Sequence, residues 1–217
     1  MKTEDFHLIV FAKAPIPGQV KTRLIPLMGP KAAAALHEEL VIHTLTMAVK
    51  ANLGQVDLWC FASCKHPFFI RCSREFRVEL YKQSEGDLGK RMGDALKKTL
   101  EKASHAILIG TDCPSFTEKD LKEAARTMKR GAKAVIGPAE DGGYVLIGMS
   151  HYSPELFRGI PWGTGSVMEE TRKRLQRLGW RWHELRTLWD VDRPEDVERL
   201  SREGYLEKDW SHALTSL

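Results

Sequence analysis

The chain has 217 residues, 42% of them hydrophobic, which is enough to bury the core of a single α/β domain spanning residues 1–217. Lys and Arg number 33 against 29 Asp and Glu, and this small, dispersed surplus gives no reason to expect a nucleic-acid partner. No apolar run approaches the roughly 18 residues that a membrane span needs, so we expect no span.

The four cysteines and eight histidines carry no disulfide or zinc signature. The cysteines form no Cys-x-x-Cys pair, the N-terminus does not resemble a signal peptide, and the histidines lack a His-Glu-x-x-His spacing. We therefore expect reduced thiols, a cytoplasmic protein and no structural zinc.

A basic loop follows the first predicted strand. The run from Leu8 to Phe11 has no polar alternation, which is typical of a strand covered by helices on both faces of a parallel sheet. The loop after it carries Lys13, Lys21 and Arg23. Because α/β proteins bind ligands at the carboxyl ends of such strands, these cations predict a site for a nucleotide phosphate. A solvated basic loop is the alternative.

The same loop resembles a Walker phosphate-binding motif, because Gly18 is followed by Lys21 and Thr22. That motif has glycines where this chain has Pro15 and Val20, however, so the backbone cradle for phosphate is incomplete. We expect side chains to bind the phosphates instead.

Hydrophobic periods and turn residues divide the rest of the chain into alternating strands and helices without a repeat. Pro30, Asp87 and Thr117 are suited to begin three of the helices. Strands are predicted at residues 56–62, 78–81, 105–109, 134–136, 144–148 and 180–185. Helices are predicted at residues 30–52, 67–76, 87–103, 117–130, 165–178, 194–202 and 204–217.

Asp112 stands just past the predicted strand at residues 105–109, at the edge of the sheet that carries the basic loop. Mg²⁺ is usually held by one or two protein carboxylates, with waters and substrate phosphates as its other ligands. One Asp opposite three cations therefore fits a metal site. The alternative is a local turn, in which the Asp112 side chain accepts hydrogen bonds from backbone amides before Pro114.

A second acidic segment precedes the predicted strand at residues 144–148. Glu140 and Asp141 are followed by Gly142 and Gly143, which let a ligand approach the backbone next to Tyr144. An ordinary tight turn between two antiparallel strands is the alternative.

A third acidic segment lies near the C-terminus. Asp190 and Asp192 alternate along the end of a strand, so their side chains point to one face. Asp192 has a second interpretation, because it could cap the helix that starts at Pro194.

Two other segments contribute candidates. Gln83, Asp87 and Arg91 lie in QSEGDLGKRM, where an i,i+4 surface pair between Asp87 and Arg91 is the alternative to a ligand-binding role. Trp162 and Thr164 lie in a glycine-containing loop that could stack on a base or a sugar.

Six motifs together carry a resemblance to a known family. They are FAKAPIPGQVKTRL, QSEGDLGKRM, LIGTDCPSF, IGPAEDGGYVLIG, PWGTGSVMEET and DVDRPEDVERL. Over residues 6–200 the chain resembles the glycosyltransferase-like proteins of the arsenosugar-biosynthesis type, which belong with the GT-A nucleotide-diphospho-sugar transferases. The resemblance implies one Rossmann-like, three-layer α/β/α domain with a mixed, mostly parallel sheet and with nucleotide bound across the strand ends.

The resemblance also implies roles for individual residues. The basic loop would meet the nucleotide phosphates, Asp112 would hold a metal, and the Asp190 to Asp192 segment would supply a second metal contact. We assign nucleotide binding to Lys13, Lys21, Thr22, Arg23, Gln83, Asp87 and Arg91, metal binding to Asp112 and Asp192, substrate binding to Gly142, Gly143, Tyr144, Trp162, Thr164 and Asp190, and catalysis to Glu140 and Asp141.

Two departures from the related guanylyltransferases and sugar transferases bear on the reaction. The Leu-x-x-Gly-x-Gly-x-x-x-Arg loop of nucleotidyltransferases is replaced by a Pro-rich loop, which weakens the case for guanylyl transfer. The Asp-x-Asp of many sugar transferases is reduced to Asp112 alone, between Thr111 and Cys113.

We therefore expect a transferase that uses Mg²⁺ or Mn²⁺ to move the glycosyl group of a nucleotide-diphospho-sugar to a small acceptor. Nucleotidyl transfer from a nucleoside triphosphate to a phosphorylated acceptor is one alternative, and a non-catalytic nucleotide sensor is another. The base, the sugar, the acceptor and the formation of a homodimer stay open.

Overall fold

A seven-stranded mixed sheet forms the middle layer of the protein in a computed structural model that describes residues 4–205 and residue 210. The strands lie in the order β3-β2-β1-β4-β6-β5-β7, and β6 runs antiparallel to both of its neighbours while the other pairs are parallel. The strands are β1 (Glu4–Ala12), β2 (Gln55–Cys60), β3 (Glu79–Lys82), β4 (Ala103–Ile109), β5 (Ala134–Pro138), β6 (Tyr144–Met149) and β7 (Trp182–Glu184).

Six α-helices accompany the strands within the described residues. They are α1 (Ile25–Ala51), α2 (Pro67–Phe76), α3 (Leu88–Leu100), α4 (Glu118–Lys129), α5 (Val167–Arg177) and α6 (Pro194–Glu203). Helices α1, α2 and α4 cover one face of the sheet, and α3 and α5 cover the other. This arrangement confirms the predicted three-layer α/β architecture. Among the described residues, none of the helices combines the length and the apolar character that crossing a bilayer requires.

The two faces of β1 explain its unbroken apolar run. Leu8 and Val10 pack with α1 and α4, while Ile9 and Phe11 pack with α3 on the opposite face. Successive side chains of a strand point to opposite faces, so a strand between two helical layers is apolar at every position. Because β1, β2, β3 and β4 pair in parallel, their carboxyl ends lie at one edge of the sheet.

Most predicted element bounds lie within a few residues of the observed ones. Helix α1 differs most, because it begins at Ile25 and is interrupted at Gly29 (φ 75°), after which Pro30 opens the long regular part. Asp87 caps α3 by accepting from Lys90 N at 2.7 Å, as predicted. The predicted helix at residues 204–217 lies largely outside the described residues.

Candidate functional site

A cavity of about 540 Å³ opens at the carboxyl ends of β1 and β4. It is lined by the basic loop, by α3, by the turn after β4 and by the segments around residues 141–147, 162–167 and 190–192. The structure therefore brings most of the predicted site residues together. Those that line the cavity are Lys13, Lys21, Thr22, Arg23, Gln83, Arg91, Asp112, Asp141, Gly143, Tyr144, Trp162, Thr164, Asp190 and Asp192.

The basic loop uses its own backbone amides to fold. Ile16 N donates to Ala14 O at 2.8 Å and Gln19 N donates to Ile16 O at 2.9 Å. Lys21 then adopts a left-handed conformation (φ 47°), which turns the chain into the short helical segment Thr22–Leu24. These internal hydrogen bonds agree with the expectation that side chains, not a backbone cradle, meet the ligand.

The Lys21 ammonium joins three segments of the site. Its side chain is only 3% exposed, and Nζ lies 2.6 Å from Asp112 Oδ1 and 3.7 Å from Asp192 Oδ1. Nζ also donates to Val191 O at 2.6 Å. Lys21 is thus already coordinated by protein oxygens, and its first effect is to hold the two aspartates at the cavity.

Lys13 and Arg23 are the exposed cations of the loop. The Arg23 side chain is 67% exposed, and its Nη1 lies 3.4 Å from Asp192 Oδ2. Lys13 is exposed as well, with Nζ 6.0 Å from the centroid of the Phe61 ring. Both cations line the cavity, so they are available to an anionic ligand.

Asp112 keeps part of its carboxylate open. Its side chain is 46% exposed although Oδ1 is buried against Lys21, so the remainder of the carboxylate faces the cavity. Burial favours the neutral acid, but the Lys21 ammonium and the other neighbouring basic groups together outweigh that effect and lower the pKa of Asp112 below its usual range. The group is therefore an ionised carboxylate at neutral pH. Its observed partner is the Lys21 ammonium, not the backbone amides of a local turn.

His37 is a site residue that the sequence did not reveal. It lies within the buried stripe of α1, its Nε2 donates to Lys13 O at 3.0 Å, and its Nδ1 lies 3.8 Å from Asp112 Oδ1. Burial lowers the pKa of His37, so the imidazole is neutral near pH 7. A single histidine among helix core positions gives no distinguishing signal in one sequence. Gln19 and Thr111 also line the cavity and were not predicted.

Asp190 differs from the other carboxylates. It lines the cavity, and burial, reinforced by the nearby charge of Asp112, raises the pKa of Asp190 to about 8. Asp190 is therefore mainly protonated near pH 7 and can donate a hydrogen bond. Asp192, by contrast, faces Lys21 and Arg23 and does not cap α6, because its own backbone N donates to Asp196 Oδ2 at 2.9 Å.

The structure separates Glu140 from Asp141. The Glu140 carboxylate is bound by Arg199 Nη1 at 2.9 and 3.1 Å and does not line the cavity. Asp141 lines the cavity, and its Oδ1 accepts from Gly143 N at 2.8 Å. The geometry therefore does not support the predicted catalytic role of Glu140, since Arg199 of α6 pairs with its side chain outside the cavity lining.

Gly142 and Asp87 also lie outside the cavity lining. Gly142 has φ 85°, and a Cβ there would lie 2.2 Å from Gly165 O, so this glycine lets the loop pack against the start of α5. The Asp87 side chain caps α3. Their observed roles are therefore loop packing for Gly142 and helix capping for Asp87.

Gln83 and Arg91 form one unit on the cavity wall. Gln83 is 4% exposed, its Nε2 donates to Trp59 O at 2.7 Å, and its Oε1 accepts from Arg91 Nη1 at 3.0 Å. The Arg91 guanidinium lies 4.6 Å from the centroid of the Phe61 ring. The predicted i,i+4 surface pair with the Asp87 carboxylate is replaced by a weaker contact, from Arg91 Nε to Asp87 O at 3.4 Å.

Tyr144, Trp162 and Thr164 also line the cavity wall, and the Trp162 ring packs against Gly89 of α3. The rings of Tyr144 and Trp162 meet edge to face with centroids 6.1 Å apart. Thr164 Oγ1 donates to Pro161 O at 2.8 Å, which stabilises the loop before α5. The two aromatic rings give this wall an apolar surface beside the carboxylates.

The carboxylates fit a divalent cation of the Mg²⁺ type. Within residues 4–205 and 210, no group of three or more His, Cys, Asp or Glu side chains is arranged to hold a metal by itself. Asp112 and Asp192 nevertheless present two partly exposed carboxylates beside the same Lys21 ammonium. Such a pair suits a metal whose remaining ligands come from water and phosphate.

A family model matches residues 44–164, which is more than half of the chain, and its description is "Uncharacterized protein conserved in bacteria (DUF2064)". The chain belongs to this family. The matched residues include the segment with Gln83 and Arg91, the turn with Asp112 and the loop with Asp141. No curated protein matches the chain significantly.

Solved structures confirm the fold of this DUF2064 protein. A provisionally assigned nucleotide-diphospho-sugar transferase from Desulfovibrio desulfuricans G20 superposes with a TM-score of 0.86 at 27% identity, over 98% of this chain and 94% of that one. A nucleotidyl transferase from Methanothermobacter thermautotrophicus gives 0.63 at 13% identity, over 93% and 97% of the two chains. CMP:2-keto-3-deoxy-manno-octonic acid synthetase complexed with CTP gives 0.58 at 12% identity, over 91% and 97%.

These comparisons place the chain in the GT-A-like superfamily, as the sequence motifs predicted. The two more distant structures, at 13% and 12% identity, show a shared fold and nothing more. Similarity to transferases that handle nucleotides supports a transferase role in general.

Proposed function

We propose that this protein transfers the glycosyl group of a nucleotide-diphospho-sugar to a small acceptor, with a divalent cation bound at Asp112. The observation that carries the proposal is the contact between Lys21 and Asp112 at the cavity. It holds an ionised, partly open carboxylate beside two exposed cations, Lys13 and Arg23. This combination of charges suits a diphosphate bound with a divalent cation.

The cations would bind the diphosphate. Lys13 and Arg23 are exposed and face the cavity, so they can form charge-assisted hydrogen bonds to phosphate oxygens. Each contact is worth on the order of 4 kcal/mol at an intermediate dielectric before desolvation is subtracted, so two contacts are enough to hold the group. Lys21 would act indirectly, because its ammonium fixes Asp112 and Asp192.

Asp112 and Asp192 would hold Mg²⁺ or Mn²⁺. When bound there, the metal would neutralise negative charge on the diphosphate leaving group. Glycosyl transfer breaks the bond between the anomeric carbon and the diphosphate oxygen and forms a bond from that carbon to the acceptor oxygen. The charge left on the leaving group is then also stabilised by Lys13 and Arg23.

Asp141 would orient and deprotonate the acceptor hydroxyl. One of its oxygens accepts from Gly143 N, which fixes the side chain, and the residue lines the cavity. Asp190 suits a different role, because its raised pKa keeps it protonated and able to donate a hydrogen bond to a sugar or acceptor oxygen. This division of roles between two carboxyl groups follows from their surroundings.

Glycosyl transfer is favoured over nucleotidyl transfer by the basic loop. Its Ile16 and Gln19 amides donate within the loop, so the glycine-rich cradle of nucleotidyltransferases is not reproduced. The similarity to the Desulfovibrio protein points in the same direction. Nucleotidyl transfer is the second candidate, because the same cations and carboxylates would also suit the phosphates of a nucleoside triphosphate.

Turnover assays test the proposal. The purified protein is incubated with Mn²⁺, a set of sugar nucleotides and a small-molecule extract, and release of nucleoside diphosphate is measured. Parallel reactions contain nucleoside triphosphates and sugar phosphates, and release of pyrophosphate is measured. Nucleoside diphosphate release that needs Asp112 supports glycosyl transfer. Pyrophosphate release shows nucleotidyl transfer instead, and binding without either product supports a sensor.

A further inference from the structure

Two parts of the cavity wall differ in chemistry. One part carries the carboxyl groups of Asp141 and Asp190. The other, which we call the α3 wall, consists of Gln83, Leu88, Arg91 and Met92. The α3 wall thus combines apolar side chains with one guanidinium. A nucleotide base needs this combination, since its faces are apolar and its edge forms hydrogen bonds.

The guanidinium of the α3 wall is held in one orientation. Arg91 Nη1 donates to Gln83 Oε1, and the other end of the Gln83 amide donates to Trp59 O, so both ends of the amide are committed. The Phe61 ring supports the guanidinium at 4.6 Å. Holding an arginine side chain in one orientation costs conformational entropy. In return, the remaining N–H groups of Arg91 are preorganised to donate hydrogen bonds to a ligand.

Nearby acceptors are already occupied. Ala12 O accepts from Phe61 N at 2.9 Å, and Lys13 O accepts from His37 Nε2 at 3.0 Å. Gln83 Oε1 is taken by Arg91. Each of these oxygens already accepts one hydrogen bond, and a guanidinium only donates, so the α3 wall presents mainly N–H donors to the edge of a base.

The geometry points to a nucleotide whose base presents a ring carbonyl, not an exocyclic amine, to Arg91. This inference rests on the proposed function, since it concerns the nucleotide part of the same substrate. The base would lie against Leu88 and Met92, and its carbonyl oxygen would accept from the guanidinium. Guanine, hypoxanthine and uracil share that carbonyl. Adenine and cytosine carry an amine at the corresponding ring position. The amine and the Arg91 guanidinium are both hydrogen-bond donors, so they cannot pair.

Matched nucleotides test the inference directly. Inosine diphosphate has a carbonyl at C6 and a proton on the adjoining ring nitrogen, where adenosine diphosphate has an amine and no proton. Uridine and cytidine diphosphates differ in the same way at C4. We expect calorimetric titrations with Mg²⁺ to show at least tenfold tighter binding of the carbonyl member of one pair. A preference within the first pair identifies a purine site, and one within the second pair a pyrimidine site. Equal binding, within twofold, in both pairs overturns the inference.

Two variants of Arg91 keep the test independent of folding. In Arg91→Met the preference is expected to fall below twofold through weaker binding of the carbonyl nucleotide alone. Arg91→Gln is expected to do the same while keeping a polar side chain, and Arg74→Met, an exposed arginine of α2 away from the cavity, is the control. Equal weakening of all four nucleotides by the Arg91 variants would show that Arg91 binds phosphate, which contradicts the inference.

The same titrations separate this inference from the function on which it rests. If all four diphosphates bind the wild-type protein with similar affinity, the nucleotide site stands and only the base preference is overturned. If none of them binds, the proposed function fails and the inference fails with it.

Discussion

Lys21 Nζ lies 2.6 Å from Asp112 Oδ1, and this ion pair joins the loop after β1 to the turn after β4. The two segments are far apart in sequence but meet because β1 and β4 are parallel neighbours whose carboxyl ends lie side by side. The lysine side chain is buried while the aspartate remains half exposed. The pair therefore serves the site by fixing a carboxylate at the edge of a cavity.

Lys21→Met is expected to destabilise the protein more than Arg23→Met. The Lys21 ammonium is buried and meets three protein oxygens, so its removal leaves Asp112 and Val191 O short of a partner, at a cost of roughly 1–3 kcal/mol. Arg23 is mostly exposed, and its removal should change stability by no more than about 0.5 kcal/mol. Urea denaturation of both variants measures the difference. Equal losses would contradict the structural role of Lys21.

Asp112→Asn is expected to lower product formation at least about 100-fold, because a neutral amide binds a divalent cation much more weakly than a carboxylate does, and the leaving group then loses the charge of the metal. The measurement is initial rate at saturating Mn²⁺, together with Mn²⁺ affinity by spin resonance. Asp94→Asn on α3 is the matched control, since Asp94 pairs with exposed Lys90 in the same helix and does not line the cavity. Full activity of Asp112→Asn would refute a metal role for this carboxylate.

The main layers of the fold could be predicted from the sequence because they depend on local signals. The unbroken apolar run of β1 is what burial between two helical layers requires, and the caps at Asp87 and Thr117 are set by side chains near in sequence. The location of Asp112 beside the basic loop followed from the rule that parallel strands end at one edge.

Contacts between distant segments could not be predicted in the same way. Arg199, in α6, binds Glu140 and removes it from the cavity, yet nothing in the sequence around Glu140 indicates this partner. His37 reaches the site from the middle of α1, where it occupies an ordinary buried position. Gln83 and Arg91 were identified separately, but their clamp depends on Trp59 in another strand. Each of these facts arises from tertiary packing.

Glu140→Gln is expected to leave turnover within about threefold of the wild-type value, since the side chain pairs with Arg199 outside the cavity. Asp141→Asn should lower turnover about 100-fold if Asp141 takes the acceptor proton. The two residues are adjacent, so the pair of variants controls for local disturbance of the loop. Steady-state rates at several acceptor concentrations measure both effects, and a larger loss in Glu140→Gln would reverse the assignment.

Gly142→Ala is expected to destabilise the protein more than Gly163→Ala. Both glycines have positive φ, 85° and 81°, so both variants bear similar backbone strain of roughly 1–2 kcal/mol. Only at Gly142 would the new Cβ clash, 2.2 Å from Gly165 O, whereas nothing lies within 4 Å at Gly163. The difference in melting temperature isolates the clash. Similar melting temperatures would show that the loop around Gly142 yields easily.

Asp120→Asn is expected to destabilise the protein in a pH-dependent manner. The Asp120 side chain is 6% exposed and binds Arg186 Nε at 2.8 Å. Burial alone would raise the pKa of Asp120, but the hydrogen bonds from Arg186 and Thr117 outweigh it and hold the pKa below the usual 3.8. A carboxyl whose pKa is lowered by folding stabilises the protein above its unfolded pKa and loses that contribution as the pH falls through its folded pKa.

The expected loss in Asp120→Asn is about 1–3 kcal/mol at pH 7, because the buried carboxylate loses its charge-assisted hydrogen bonds while its partner Arg186 is half exposed. The difference in unfolding free energy between wild type and variant should narrow below pH 3.8. There Asp120 becomes protonated first in the unfolded chain and, at lower pH, in the folded protein. Urea denaturation at pH 7 and pH 3 measures this difference, with Asp94→Asn as an exposed control of little effect. An equal difference in stability between wild type and variant at both pH values would contradict this prediction. It would mean that the shape of the Asp120 side chain, not its charge, holds Arg186 in place to donate to Ser115 O in the turn after Asp112.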